Sequence, residues 1–203
     1  AVRYRALPEI KVGDEQAYIY WLKEAVRLGE RSAPRFLQKH FLDTGEIETG
    51  RLFFSRESRL QPENKSLLQS SVMFRLASNS VSERQQAFDD MLAGLDDKEF
   101  DDFVVGIVIK AVDEEEIDLG SIRMTPPKLN EETFRNEIQK RVDRHDLAKF
   151  TAGIFSLVGI QGFPRDEALA KQSLSEVKDL VEAAEFDLAY LSFTQSLANS
   201  SRP

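Results

Sequence analysis

The stretch DEQAYIYWLKEAVRLGERSAPRFLQKHFLDTG, residues 14–45, decides the fold. In its first half Tyr18, Trp21, Leu22 and Ala25 recur at i, i+3, i+4 and i+7, which gathers them on one stripe of a helix. Gly29 follows, the residue type that tolerates the left-handed backbone of a helix C-terminus. Ser32 is then placed to cap a second helix, with Pro34 in its first turn, where a missing N–H costs little. Leu37 and Phe41 supply that helix's inner face, and Gly45 ends it. The stretch predicts a helical hairpin. Trp21 shares the stripe with Tyr18 and Ala25, so a neighbouring helix should cover it as a packing residue.

The same periodicity continues outward. Leu68, Val72 and Leu76 predict a helix. Ser80 and Glu83 stand at capping-box spacing ahead of Phe88, Met91, Leu92 and Leu95. Phe100, Phe103, Val104, Ile107 and Ala111 fit a further helix. The β-branched run through Val104, Val105, Ile107, Val108 and Ile109 suits a strand as well. Acidic residues at its start and the 3.6-residue spacing favour helix. Residues 113–128 read as a loop, because an acidic run and Gly120 precede two adjacent prolines, Pro126 and Pro127. Asn130 can cap a helix whose inner face carries Phe134, Ile138 and Val142. Helices are expected over 147–158, 166–184 and 187–197, with 199–203 fraying.

At 203 residues, 41% apolar and 31% charged, the chain has a globular composition and enough length to bury a core. Its net charge of −8 opposes tight binding to a phosphate backbone, so a nucleic-acid partner is not expected. No stretch approaches the roughly 18 apolar residues that span a bilayer. The start, Ala1-Val2-Arg3-Tyr4-Arg5, lacks a signal peptide's apolar core and an initiator Met, which suits a processed chain or a piece of a longer one. Cysteine is absent, which removes disulfides, thiol nucleophiles and thiolate zinc sites. A periplasmic or exported location fits these two features, and a cytoplasmic one stays open.

Two segments resemble the Sel-one-like repeat, a relative of the tetratricopeptide repeat. In the first, Asp14, Tyr18, Trp21, Ala25, Gly29, Ala33, Leu37 and Phe41 follow the family order. Tyr18 stands where the family prefers alanine, and Gln38 where it prefers glycine. In the second, Ala148, Ala152, Gly153, Gly159, Gly162, Phe163, Asp166 and Ala170 do the same, with one extra residue between the loop glycines. There Ser173 replaces the family tryptophan, and Val181 or Glu182 the inter-helix glycine. Each match covers about 35 residues, close to the length of one such repeat. Ala33 and Ala148 lie 115 residues apart, near three family periods. The resemblance implies an all-α fold of antiparallel helical hairpins stacked as a short, irregular solenoid. It divides the chain into an N-terminal hairpin at 1–60, an irregular middle at 61–128 and C-terminal hairpins at 129–203, within one continuous domain.

Catalytic chemistry finds little foothold. His40 and His145 are the two histidines, and neither has a second histidine at ligand spacing. No Gly-x-Ser-x-Gly elbow, dinucleotide fingerprint or phosphate-binding loop occurs. His145, within Asp143-Arg144-His145-Asp146, is expected as a capping or solvated residue. The acidic clusters Asp96-Asp97-Lys98-Glu99 with Asp101-Asp102, and Asp113-Glu114-Glu115-Glu116, lack the calcium-loop pattern and are expected as solvated faces. Gly159-Ile160-Gln161-Gly162 is expected as a hairpin turn. No catalytic residue, metal ligand or cofactor is assigned.

The resemblance implies a non-catalytic protein–protein interaction scaffold or adaptor, of the kind found in bacterial complexes. It places Arg35, Gln38, Lys39 and Lys149 as contacts for a protein or peptide partner. Two alternatives remain: a helical hydrolase or lyase using Asp101 or Asp102 with His145, and an accessory domain of a longer chain.

Overall fold

The computed structural model describes residues 15–112, 116–118, 123–177 and 179–180. These are all-α apart from one pair of two-residue strands. The chain forms two compact units. One comprises Ala1–Leu95 and Glu116–Pro127; the other comprises Asp96–Glu115 and Lys128–Pro203.

The first unit contains α1 (Glu15–Arg27), α2 (Ala33–Asp43), α3 (Ile47–Leu60), α4 (Lys65–Leu76) and α5 (Val81–Gly94), with β1 (Ile117–Asp118) paired antiparallel to β2 (Arg123–Met124). Helices α1 and α2 pack as the expected hairpin. Gly29 turns the chain between them at φ +80°, a conformation that costs a side-chain-bearing residue dearly. Ser32 occupies the N-cap of α2, but its hydroxyl bonds Glu30 at 2.9 Å and caps nothing. Pro34 sits in the first turn, and Leu37 and Phe41 are buried.

Helix α4 is the core helix of this unit, buried continuously from Ser70 to Leu76. Phe54 of α3 stacks on Phe74 of α4 with ring centroids 5.4 Å apart, and Phe41 meets both edge-on. Gly50 makes the approach of α3 possible: a Cβ there would stand 2.7 Å from Phe74 Cε1. Ser80 caps α5 by accepting from the Glu83 amide, as its spacing predicts. The reciprocal half of the box is missing, because the Glu83 carboxylate instead takes bonds from Ser78 and Arg51.

Further features of this unit depart from expectation: within the expected loop 113–128, Ile117–Asp118 and Arg123–Met124 pair as short strands. Helix α3 was not anticipated. Trp21 is 47% exposed and Tyr18 43%, so these two members of the expected stripe lie on a flank of α1 open to solvent, while Leu22 is buried. The buried line of α1 runs through Leu22 and Val26. Periodicity identified the helix, but the covered side is set by α2 and by later elements.

The second unit contains a 3₁₀ turn (Lys98–Phe100), α6 (Asp101–Lys110), α7 (Glu131–Gln139), α8 (Asp146–Val158) and α9 (Glu167–Ser175). The β-branched run of α6 is helical, with Asp101 and Asp102 in its first turn and Lys110 in its last, both favourable to the helix dipole. Asn130 caps α7 through the Thr133 amide. Phe134, Phe155 and Phe163 form an aromatic cluster with centroids 5.4–6.2 Å apart. The segment 159–162 is a tight turn in which Gly159, Gln161 and Gly162 all have positive φ. A Cβ on Gly162 would meet the Glu131 carbonyl oxygen at 2.8 Å, so the turn rests on the start of α7.

Val142 lies beyond the end of α7, in the turn that follows it. The helix expected over 166–184 stops at Ser175. The Ser175 hydroxyl donates to the Gln172 carbonyl at 2.7 Å, a local bond of the kind that competes with helix continuation. Asp14, residues 181–184 and the helix expected over 187–197 lie outside the described residues.

Candidate functional site

In the first unit α1 and α2 each carry exposed aromatic side chains, and α2 carries exposed cationic ones. Trp21 lies edge-on to Tyr20, 5.3 Å between centroids, and both are largely exposed, as is Phe36 on α2. Arg35 and Lys39 share the exposed face of α2 with Phe36. Lys39 bonds Asp43 at 2.7 Å, an exposed pair one helical turn apart. Arg35 makes no ion pair among the described residues. Gln38 points elsewhere: its carbonyl accepts from Ser70 Oγ at 2.9 Å and its amide nitrogen reaches Met73 Sδ at 3.5 Å. It ties α2 to α4, so of the three α2 residues only Arg35 and Lys39 face solvent. Lys149, the fourth expected contact, belongs to α8 of the second unit and pairs with Glu176 at 2.7 Å.

The outward face of α3 forms a groove of about 620 Å³ lined by Arg51, Leu52, Ser55, Arg56, Arg59, Leu60 and Glu83. The sequence did carry its signature. Leu52, Arg56, Arg59 and Leu60 recur at i, i+4, i+7 and i+8, a helical stripe along α3.

In the second unit the residues singled out for hydrolytic chemistry do meet. Arg141, fully buried, donates from Nε to Asp101 at 3.0 Å and from Nη1 to the Glu137 carboxylate and carbonyl, both at 2.9 Å. Its Nη2 makes no hydrogen bond and stands 3.6 Å from Asp96. Arg144 bonds Asp96 and reaches Asp101 with Nη2 at 3.1 Å. Arg144 Nε lies 2.8 Å from the second Asp101 oxygen, a charge contact without hydrogen-bond alignment. The hydrogen bond from Arg144 holds the Asp96 carboxyl below its ordinary range, with the Arg144, Arg141 and Lys140 charges adding to the effect.

His145 is the N-cap of α8. Its Nδ1 accepts the Ala148 amide at 3.3 Å, which fixes the proton on Nε2, and Nε2 donates to Asp102 at 2.8 Å. The capping role expected for His145 is therefore what the geometry gives. Asp102 is otherwise fully exposed, but Asp101, expected on the same solvated face, is buried and enclosed by two guanidinium groups. The groups that a hydrolase would need are thus engaged with one another. A nearby depression of about 430 Å³ is lined by Thr133, Asn136, Glu137, Gln139 and Lys140 and reaches neither Asp101 nor His145.

Among the described residues no group of three or more acidic or histidine side chains is placed to hold a metal ion. No helix there is long and apolar enough to cross a membrane. Comparison with known proteins gives no match: no family model fits the chain, and no curated protein or solved structure resembles it.

Proposed function

We propose that the chain is a non-catalytic protein-interaction scaffold or adaptor built on Sel-one-like helical hairpins. One observation carries this: Trp21, Tyr20, Tyr18 and Phe36 stand about half exposed on α1 and α2, and α2 also exposes Arg35 and Lys39. Aromatic and arginine side chains are the types enriched at the centres of protein interfaces, where their large surfaces gain most from desolvation. Leaving such rings in water forgoes their burial energy, and a partner that covers them recovers it. The kinship with Sel-one-like repeats is supported by the pairing of α1 with α2 and of α8 with α9, each across a positive-φ glycine.

The test is paired. Trp21→Ala with Phe36→Ala should leave the chain folded and lower the urea unfolding midpoint only modestly, because about half of each ring is already in water. Burial would instead make Trp21→Ala alone cost about 3–5 kcal/mol. The same double variant should capture at least about tenfold less of a cross-linked protein partner from the native host, as loss of 1.4 kcal/mol of binding requires. Undiminished capture by the folded variant removes this surface from the scaffold's function.

A further inference from the structure

The groove on α3 has a composition of its own. Leu52 and Leu60 are 58% and 65% exposed. They lie eight residues apart on one helix, about 12 Å along its axis. Between them rise Arg56 and Arg59. Arg51, at the edge, is already neutralised by Glu48 at 2.6 Å and Glu83 at 2.5 Å. Arg56 is paired more loosely: among the described residues its acidic partner is Glu57, 3.9 Å away, a buried carboxylate that also faces Arg27 at 3.8 Å. Arg59 makes no ion pair among the described residues. One weakly paired guanidinium and one without an ion pair among the described residues, framed by two leucines, therefore line this surface, on a protein whose net charge is −8.

We infer that this groove docks a segment of a partner protein: an amphipathic helix whose leucine-sized side chains, seven or eight residues apart, alternate with Asp or Glu. The inference rests on the scaffold role and supplies the chemistry of one partner. Apolar anchors two turns apart are how a helix engages a groove, and Leu52 and Leu60 offer two contacts at that separation. Arginine forks bind carboxylates bidentately, so Arg56 and Arg59 fix the polarity and register of the incoming segment. The complementary charge also raises the encounter rate with an acidic segment against the repulsion of the remaining surface. An anionic membrane is the poorer fit, because it presents a flat surface to a concave one and meets Glu83 at the rim.

Fluorescence anisotropy of the full chain decides the matter with two dye-labelled helical peptides. Both are 15 residues long, with leucine at every third and fourth position; one has glutamate between and the other lysine. The wild type should bind the acidic peptide at micromolar concentration and at least tenfold more tightly than the basic one. Arg56→Glu with Arg59→Glu should reverse that preference, a result that also shows the variant is folded. Absence of acidic-peptide binding at millimolar concentration, or an unchanged preference in the double variant, overturns the inference. So does co-sedimentation with phosphatidylserine vesicles that the acidic peptide fails to displace. The scaffold role is judged separately by Trp21→Ala with Phe36→Ala. If that variant loses its captured partner while the peptides ignore the groove, the groove inference fails and the scaffold role stands. If it captures normally while Arg56 and Arg59 govern peptide binding, the α1–α2 surface fails and the groove stands.

Discussion

Arg141 is a fully buried cation. Asp101 and Glu137 hold it from two sides, each itself almost wholly buried. Such a set is a modest net source of stability, since desolvating three charges offsets much of their attraction. Removing one member is another matter, because Asp101 and Glu137 would stay buried with only Arg144 and Lys140 left to oppose their charge. Arg141→Ala should therefore destabilise the second unit by about 3–5 kcal/mol, read as a lower urea midpoint with loss of its helical signal. A loss below 1 kcal/mol would mean that water enters and solvates Asp101. The residue types in this cluster were plain in the sequence, and His145 was recognised as a capping candidate. The partnerships were not, since Arg141 and Asp101 lie 40 positions apart and His145 and Asp102 lie 43. Trp21 illustrates the same gap from the opposite side. Its spacing with Tyr18 and Ala25 established a helix, but spacing is blind to which flank a neighbour covers.

Among the elements, α3 is the one that sequence periodicity concealed. It is apolar on two sides, with Phe53 and Phe54 toward α2 and α4 and Leu52 and Leu60 outward, so no single stripe stands out. It also contains Gly50, ordinarily a mark against a helix interior. In contact with α4 that glycine is what the packing requires. Gly50→Ala would usually stabilise a helix by up to about 1 kcal/mol. Here the added methyl meets Phe74 at 2.7 and 2.9 Å and Phe41 at 3.1 Å. Displacing stacked rings in a filled core costs about 1–3 kcal/mol, so the net change should be destabilising. Thermal unfolding with near-ultraviolet circular dichroism checks both the sign and the disturbed aromatic packing; a raised Tm would show that Phe74 can move freely. By contrast α5, α6, α7 and α8 were legible, because caps at Ser80 and Asn130 and acidic first turns act locally and need no knowledge of the partner element.

For the molecule as a whole, the acidic balance sets how stability responds to pH. Asp96 and Glu48 both have carboxyl groups held below their ordinary range, first by hydrogen bonds from Arg144 and Arg51 respectively. A carboxylate with a depressed folded-state pKa contributes stability that is complete above its unfolded value, about 3.9 for Asp and 4.3 for Glu. That contribution disappears as pH falls through the folded values. The urea midpoint should therefore change little on these groups' account from pH 7 to 5 and fall below about pH 4. Asp96→Asn should start lower at neutral pH and lose less on acidification. An identical acid slope in the variant would show that solvent screens the Asp96–Arg144 pair, which is partly exposed.

The two units are interleaved along the chain, with crossings after Leu95, Glu115 and Pro127. During synthesis from the N-terminus, α1 to α5 emerge first, yet the first unit still lacks 116–127, including the buried Met124. Those residues arrive only after α6, which belongs to the other unit, has left the ribosome. The apolar helix Asp101–Lys110 must therefore wait without α7, its own packing partner, while the earlier unit is completed. A nascent chain paused between Leu95 and Pro127 is consequently the form most exposed to chaperones and to misassociation.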